Sequence, residues 1–139
     1  MSARSFFDTN VLVYTDDHDA PAKQARALQL FEEARLGGWG VLSTQVLQEY
    51  FAASTRKLGV PAAVARRKVE IFARLDLAIL DLSDIIAAID LHRLHGFGFW
   101  DGLIVQAARR AGCSILLTED FQHGARIDGI EIRNPFLES

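Results

Sequence analysis

The sequence has one cysteine, Cys113, and no apolar run of the roughly 18–20 residues that a membrane span needs. A single cysteine cannot form an internal disulfide and excludes a cysteine-rich zinc site. The segment before Asp8 reaches an acid too early to resemble a signal peptide. We therefore expect a cytoplasmic protein that folds without disulfides and does not associate with membranes.

An excess of charge of one sign is also absent. Fifteen basic and 18 acidic residues leave a formal net charge of −3, which argues against a general nucleic-acid coat protein but not against an enzyme that acts on nucleic acid. Half of the 139 residues are hydrophobic, as in folded rather than disordered chains. This length suits one compact domain, which we expect to cover residues 1–139.

Basic residues are concentrated between positions 51 and 75. Six of them accompany a single acid, Glu70, in that stretch: Arg56, Lys57, Arg66, Arg67, Lys68 and Arg74. Such a cluster fits either the solvated face of helices or a phosphate-facing patch beside an acidic pocket. The sequence leaves both interpretations open.

Short apolar runs alternate with amphipathic segments along the chain. The runs predict strands at residues 5–7, 39–42, 77–82, 114–117 and 130–132. The segments between them predict helices at 21–36, 43–58, 61–75, 84–95 and 100–111, with Ser43 and Ser83 as N-caps. This alternation predicts an α/β domain with a parallel sheet. Such sheets place their functional sites at the carboxyl ends of the strands.

Four carboxylates fall where the strand and helix pattern does not require them. Asp8 directly follows the first predicted strand, and Asp120 lies just past the fourth. Asp101 lies in an apolar segment at the start of a helix, and Glu49 borders the apolar stripe of another. A turn or helix cap would explain each aspartate, and a solvated edge position would explain Glu49. Together, however, they predict a group of acids at one edge of the sheet.

Clustered carboxylates repel one another unless protons or a cation neutralise them. A hard divalent cation with oxygen ligands removes that cost, and the lack of histidine and cysteine among these residues favours Mg²⁺ or Mn²⁺ over Zn²⁺. Such an ion lowers the pKa of bound water and stabilises charge on a phosphoryl oxygen. The four acids therefore indicate metal-dependent hydrolysis at a phosphate.

Four segments of the sequence resemble the acidic motifs of a known family. They are residues 7–14 (FDTNVLVY), 48–49 (QE), 99–104 (FWDGLI) and 117–120 (LTED). Their order and spacing resemble the PIN-domain nucleases, and most of all the VapC-type toxin ribonucleases of bacterial toxin–antitoxin pairs. The resemblance extends from Phe6 to the last strand. It implies a PIN-like three-layer α/β/α sandwich, with a parallel sheet of about five strands in the order 3-2-1-4-5.

The resemblance also implies roles for individual residues. It assigns four acids to catalysis and to the binding of one or two Mg²⁺ or Mn²⁺ ions: Asp8, Glu49, Asp101 and Asp120. Glu49 would bind an ion directly or through water. Asn10 and Thr118 match supporting positions that orient ligands or water. Glu119 lies beside Asp120, so the sequence does not decide which of the two faces the metal. An RNA substrate, a cognate antitoxin protein and a homodimer are implied as well.

The expected reaction is in-line attack of water on an RNA phosphodiester, with Glu49 orienting or deprotonating that water. Attack by water rather than the ribose 2′-hydroxyl predicts products with 5′-phosphate and 3′-hydroxyl ends. Phe97, Phe99 and Trp100 could stack bases, but such residues are more typical of a core or dimer contact, so substrate-binding residues remain unassigned.

Other interpretations compete with a nuclease. The acids could form a non-catalytic pocket that binds RNA or a partner. A receiver-type signalling domain would use Asp81 as its phosphoacceptor, but it also needs a late lysine, and none follows Lys68. A phosphatase of the haloacid-dehalogenase type would need an aspartate where Asn10 stands.

Overall fold

The computed structural model describes residues 3–137, so positions 1–2 and 138–139 of the predicted domain lie outside the described residues. Within that range the strands are β1 (Ser5–Phe7), β2 (Gly40–Ser43), β3 (Asp76–Ala78), β4 (Ile115–Leu117), β5 (Arg126–Ile127) and β6 (Ile130–Arg133). The helices are α1 (Thr9–Val13), α2 (Pro21–Gly37), α3 (Thr44–Lys57), α4 (Ala62–Phe72), α5 (Leu82–His95) and α6 (Phe99–Arg110). A 3-10 turn, Tyr14–Asp16, follows α1.

The six strands form one sheet in the order β3-β2-β1-β4-β6-β5. The first five strands in that order pair in parallel, and β5 pairs antiparallel with β6. β6 occupies the place of the fifth strand in the predicted order, so the predicted α/β fold and the order 3-2-1-4-5 of its parallel strands are confirmed. The structure adds one short edge strand, β5, to the sheet.

A tight hairpin explains the additional strand. Asp128 and Gly129 join β5 to β6, with φ angles of 49° and 86°. A two-residue turn with positive φ at both positions suits the right-handed twist of paired strands, and Asp-Gly is one of its preferred sequences. The Asp-Gly sequence between Ile127 and Ile130 was therefore a signal for this turn, but a two-residue strand is too short to show a periodic pattern.

The predicted strand at 77–82 is wrong in its second half. Strand β3 is Asp76–Ala78, and α5 begins at Leu82. Its N-cap is Asp81, not the predicted Ser83: Asp81 Oδ1 accepts the backbone N–H of Ser83 at 3.0 Å, while Asp84 Oδ2 accepts the backbone N–H of Asp81 at 2.9 Å. This reciprocal capping satisfies amides that would otherwise be unpaired at the helix start.

Buried central strands show that helices cover both faces of the sheet. Every residue of β1, β2 and β4 is buried, although alternate side chains of a strand point to opposite faces. Phe6 and Phe7, on opposite faces, are both fully buried. The layers are therefore those of the predicted α/β/α sandwich. No helix within residues 3–137 has the length and apolar character to cross a bilayer.

The topology brings distant parts of the sequence to one edge. Strands β1 and β4 are parallel neighbours, so their carboxyl ends lie side by side. The backbone N–H of Asp8 donates to the carbonyl of Leu117 at 3.0 Å. The residues directly after β1 and β4 therefore start from adjacent positions.

Candidate metal centre

Asp8 lies at the junction of β1 and α1, where its carboxylate caps the helix. Oδ1 accepts the backbone N–H of Thr9 at 2.7 Å, and Oδ2 accepts the hydroxyl of Thr118 at 2.8 Å. The residue is only 4% exposed. The predicted helix-capping role is therefore real, but it occupies only part of the carboxylate's acceptor capacity.

Burial strongly perturbs the ionisation of Asp8. Removal from water raises the pKa of its carboxyl to about 7, against the opposing effect of the hydrogen bonds from Thr118 and Thr9. Repulsion from Asp120 and Glu49 raises that pKa further. A buried acid that titrates near neutrality is expected where a cation binds, because the cation restores the charged form.

Asn10 connects the two strand ends. Its Nδ2 donates to Asp120 Oδ2 at 3.0 Å and lies 3.3 Å from Thr118 Oγ1. Its Oδ1 accepts the backbone N–H of Glu119 at 3.2 Å. Thr118, which is fully buried, also accepts the backbone N–H of Asp120 at 3.0 Å. Asn10 and Thr118 thus hold Asp120 on the side of the site that contains Asp8.

The side chain of Glu119 is engaged elsewhere. Its Oε1 accepts the hydroxyl of Tyr14 at 2.6 Å, and its Oε2 forms a 2.5 Å ion pair with Lys23 Nζ. Asp120, by contrast, contacts Asn10 and raises the pKa of Asp8. Of the two adjacent acids, Asp120 is therefore the one directed toward the other carboxylates.

Glu49 approaches the site from α3 and is half-buried. Its Oε1 accepts the hydroxyl of Thr9 at 2.7 Å, and its Oε2 accepts Gln45 Nε2 at 3.2 Å. Gln45 Nε2 also donates to the carbonyl of Trp100 at 3.2 Å, which ties α3 to the first turn of α6. Gln45 was not among the predicted site residues, although its position one helical turn before Glu49 was a usable signal.

Asp101 lies in the first turn of α6. The next residue, Gly102, determines how closely α6 packs against α5. A Cβ added to Gly102 would come within 2.9 Å of the carbonyl oxygen of Ala88 in α5. Asp101 is exposed, but partial removal of its carboxyl from water, followed by repulsion from Asp120 and Glu49, raises its pKa. Asp101 therefore shares the electrostatic environment of the acids contributed by β1, β4 and α3.

The four predicted acids are thus brought to one region of the molecule, where each of Asp8 and Asp101 is perturbed by both Glu49 and Asp120. Over residues 3–137, no three Asp, Glu, His or Cys side chains already surround a common point as metal ligands do. The donors are carboxylate, amide and hydroxyl oxygens, and one more acceptor, Gln45 Oε1, is buried without a hydrogen-bond partner. This donor set fits a hard cation that retains several waters.

Four other side chains that could contribute to chemistry or binding, two histidines, a tryptophan and the single cysteine, are not part of this group. His92 Nδ1 pairs with the carbonyl of Phe97, and the His95 ring stacks on Phe97 with centroids 5.3 Å apart. Trp100 is 63% exposed. Cys113 is buried, and burial raises the pKa of its thiol to about 11, which makes it unreactive at neutral pH.

The basic stretch is divided between structural and exposed positions. Lys68 Nζ donates to Asp16 Oδ1 at 2.8 Å and to Thr15 Oγ1 at 2.6 Å, which joins α4 to the 3-10 turn. Arg66 lies 3.9 Å from Glu70 on the surface of α4. Arg56 and Lys57 are exposed at the end of α3. The stretch is therefore not one continuous patch.

Comparison with known proteins agrees with this architecture. The model of the PIN domain family matches residues 5–128. The fold is similar to a crystal structure of Mycobacterium tuberculosis VapC20, described as a sarcin-ricin loop cleaving toxin: the TM-score is 0.69 at 18% identity, over 84% of this chain and 89% of that one. It is also similar to a toxin–antitoxin complex from Klebsiella pneumoniae, with a TM-score of 0.67 at 17% identity, over 94% and 97% of the two chains. A search of curated protein sequences finds no match.

Proposed function

The chain belongs to the PIN domain family, and from that premise we propose that it is an endoribonuclease dependent on Mg²⁺ or Mn²⁺. The observation that carries the proposal is the position of four acids. Asp8 and Asp120 lie at the adjoining ends of β1 and β4, joined through Thr118 and Asn10. Glu49 is bound to Thr9 and, through Gln45, to the first turn of α6, which contains Asp101. Asp8 is the N-cap of α1, Asp101 lies in the first turn of α6, and Asp120 lies in the loop after β4, where Thr118 Oγ1 accepts its backbone N–H.

Asp8, Asp101 and Asp120 are the residues that would hold one or two ions, with Asn10 and Thr118 fixing the orientation of Asp8 and Asp120. A bound divalent ion supplies charge stabilisation at the phosphoryl oxygens and lowers the pKa of water. Glu49 is held by Thr9 and Gln45 through one hydrogen bond to each oxygen. Its remaining lone pairs are free to accept the proton of the attacking water.

We propose that water, rather than the ribose 2′-hydroxyl, attacks the phosphorus. Among residues 3–137, the histidines contact Gln24, Phe97 and Asn134 rather than any of the four acids. The group therefore contains no pair of imidazoles to act as general acid and base in a transfer through the 2′-hydroxyl. Water as nucleophile yields 5′-phosphate and 3′-hydroxyl ends. The products thus report on the mechanism independently of the rate.

A cleavage assay on purified protein tests the nuclease activity. Wild-type protein should cleave single-stranded RNA with Mg²⁺ or Mn²⁺ and not with EDTA. Asp101→Asn should lose cleavage, whereas Asp90→Asn, which alters an exposed acid elsewhere, should retain it. Equal cleavage by wild-type and Asp101→Asn proteins would contradict the proposal. Absence of cleavage with all metals and RNAs would instead favour the alternative, a non-catalytic acidic pocket that binds RNA or a partner.

We further propose that the protein is the cytoplasmic toxin of a VapBC-type pair, with a cognate antitoxin as its partner. Its likeness in fold to a toxin and to a toxin–antitoxin complex supports this role. An apolar groove of about 610 Å³ between α3 and α4, lined by Leu47, Phe51 and Val69, provides a surface suited to a partner helix.

Expression in a bacterial host tests the toxin role. The wild-type protein should arrest growth, Asp8→Ala should not, and His92→Ala should remain toxic because His92 lies outside the acidic group. A short neighbouring gene for a DNA-binding protein, whose product restores growth, would identify the antitoxin. Unimpaired growth with the wild-type protein would contradict the role as a toxin without bearing on cleavage in vitro.

An exposed apolar row on α5 supports the proposed homodimer. Leu82, Ile85, Ile86 and Ile89 follow helical spacing and are between 39% and 71% exposed. A contiguous apolar helix face of this kind is unusual on a monomer and typical of an interface. A second copy with the same face is the simplest partner, since a two-fold dimer pairs one patch with itself.

A further inference from the structure

A pocket of about 340 Å³ adjoins the group of acids on the side of α1 and the end of α3. Thr9, Asn10 and Asp120 form its inner wall, so the pocket and the candidate metal centre share residues. Its volume lies near the lower end of the range for small-molecule sites and accommodates one unstacked nucleotide.

Two further walls of the pocket are mainly apolar and aromatic. Val13 and Tyr14 line one side, and Ala53 and Leu58 line the other. The hydroxyl of Tyr14 is held by Glu119 at 2.6 Å, and its ring packs edge-on against Phe136 with centroids 4.8 Å apart. Lys23 Nζ lies over the same ring, 4.9 Å from its centroid. Tyr14 is thus a fixed aromatic surface, which lowers the entropic cost of placing a base against the part of the ring that lines the pocket.

The pocket also contains a cation. Lys57 lies at its outer wall, in the last turn of α3, and is exposed. Among residues 3–137, no carboxylate lies within salt-bridge distance of its ammonium group. Asp17, an acid that lines the pocket, is partly engaged by its 3.1 Å hydrogen bond from the backbone N–H of Asp19. Lys57 is therefore available to a phosphate.

We propose that this pocket binds the nucleotide next to the scissile phosphate of a single-stranded RNA, with Lys57 contacting its phosphate and Tyr14 its base. The proposal rests on the proposed ribonuclease function and adds the path of the substrate. The pocket offers stacking and apolar contact rather than a set of fixed donors and acceptors. The pocket should therefore select strongly for an unpaired base and only weakly for the identity of that base.

Variants at neighbouring positions separate this role from general attraction of RNA by basic residues. Lys57→Ala should raise the KM for single-stranded RNA by about fivefold, with kcat within about twofold of wild type, because a phosphate contact outside the reacting centre contributes mainly to binding. Arg56→Ala is the matched control, since Arg56 is also exposed at the end of α3 but is not among the residues that line the pocket. It should leave both constants close to wild type. Equal effects of the two variants on KM, or a Lys57→Ala protein with unchanged KM, would overturn the proposal.

A binding measurement gives a readout independent of cleavage. Anisotropy of a fluorescein-labelled, mixed-sequence RNA oligonucleotide, titrated with Asp101→Asn protein, should show a salt dependence whose slope falls by about 0.7 when Lys57→Ala is added. Ala53→Phe, which fills the pocket from the α3 side but keeps Lys57, should also weaken binding about fivefold. An unchanged affinity and slope would reject the pocket, whereas failure of wild-type protein to cleave RNA would reject the ribonuclease function alone.

Discussion

The hydroxyl of Thr118 donates a 2.8 Å hydrogen bond to Asp8 Oδ2, which joins two residues 110 positions apart at the carboxyl ends of β4 and β1. This contact fixes a buried carboxylate whose charge the protein alone does not neutralise, because the pKa of Asp8 is about 7. The bond therefore holds a ligand in position while leaving its charge to be balanced by a proton or a cation.

The raised pKa of Asp8 predicts how the stability of the metal-free protein depends on pH. In the unfolded chain this carboxyl has its ordinary pKa of 3.8, and in the folded chain it has a pKa of about 7. Between these values the folded state binds the proton more tightly, so this contribution to stability is complete below pH 3.8 and is lost as pH rises through 7.

Urea unfolding in EDTA measures this effect. The free energy of unfolding of Asp8→Asn minus that of wild type should rise by about 3 kcal/mol between pH 5 and pH 8. This figure follows from about 1.4 kcal/mol for each pH unit over which the carboxyl is protonated in the folded chain and ionised in the unfolded chain. Comparison of the two proteins at each pH cancels the contribution of other titrating groups. A difference that stays constant from pH 5 to pH 8 would show that Asp8 ionises as an exposed aspartate does.

Substitution of the adjacent acids should have unequal effects. Asp120→Asn removes a carboxylate that faces Asn10 and should lower kcat by about 100-fold or more. Glu119→Gln changes a side chain bound to Tyr14 and Lys23 and should leave kcat within a few-fold of wild type. Steady-state cleavage of the same RNA by the two variants tests this, and the reverse order of effects would assign the metal-facing role to Glu119.

Gly102→Ala should destabilise the protein although alanine favours helix. The added Cβ would lie 2.9 Å from the carbonyl oxygen of Ala88, so α5 and α6 must move apart. We expect a net loss of about 1–3 kcal/mol in the free energy of unfolding, measured with urea. Gly98→Ala is the control, because the nearest atom to its added Cβ is Asp101 Oδ2, at 4.0 Å. Equal stability of Gly102→Ala and wild type would show that the two helices adjust freely.

Ile86→Glu should convert the proposed homodimer into a monomer, since it places a charge in the exposed apolar row of α5. Leu36→Glu, on the exposed surface of α2, should leave the dimer intact. Sedimentation equilibrium distinguishes these states. A wild-type protein that sediments as a monomer, or a dimer that persists in Ile86→Glu, would show that this row does not form a homodimer interface.

The fold was predictable where the sequence has local periodicity or clear end signals. The runs at 5–7 and 114–117 and the cap Ser43 appear in the structure at the expected positions, with Ser43 Oγ accepting the backbone N–H of Val46. The error at residues 77–82 arose because an apolar run continues across the end of β3, while the capping pair of Asp81 and Asp84 decides where the helix begins. A polar capping residue is a weaker sequence signal for the end of an element than a run of apolar residues is for its presence.

The meeting of Asp8 with Asp120 was predictable because the ends of the parallel strands β1 and β4 lie at one edge of the sheet. Glu49 and Asp101 lie on α3 and α6, and the sequence pointed to them through the apolar residues around them. The hydrogen bonds and ion pairs around the acidic group were not predictable, since they depend on contacts between residues far apart in sequence. The engagement of Glu119 by Lys23 and the bridge that Gln45 forms to the carbonyl of Trp100 have no signature in the sequence. The pocket beside Lys57 likewise exists only because α1 and the end of α3 meet.

If a divalent cation binds among these carboxylates, anomalous scattering from a crystal of the protein soaked in Mn²⁺ should locate it. We expect a peak within about 2.0–2.6 Å of carboxylate oxygens of Asp8, Asp101 or Asp120, absent from a crystal of Asp101→Asn treated in the same way. A well-ordered map with no peak at this position, or a peak that persists unchanged in Asp101→Asn, would show that these acids do not bind the ion.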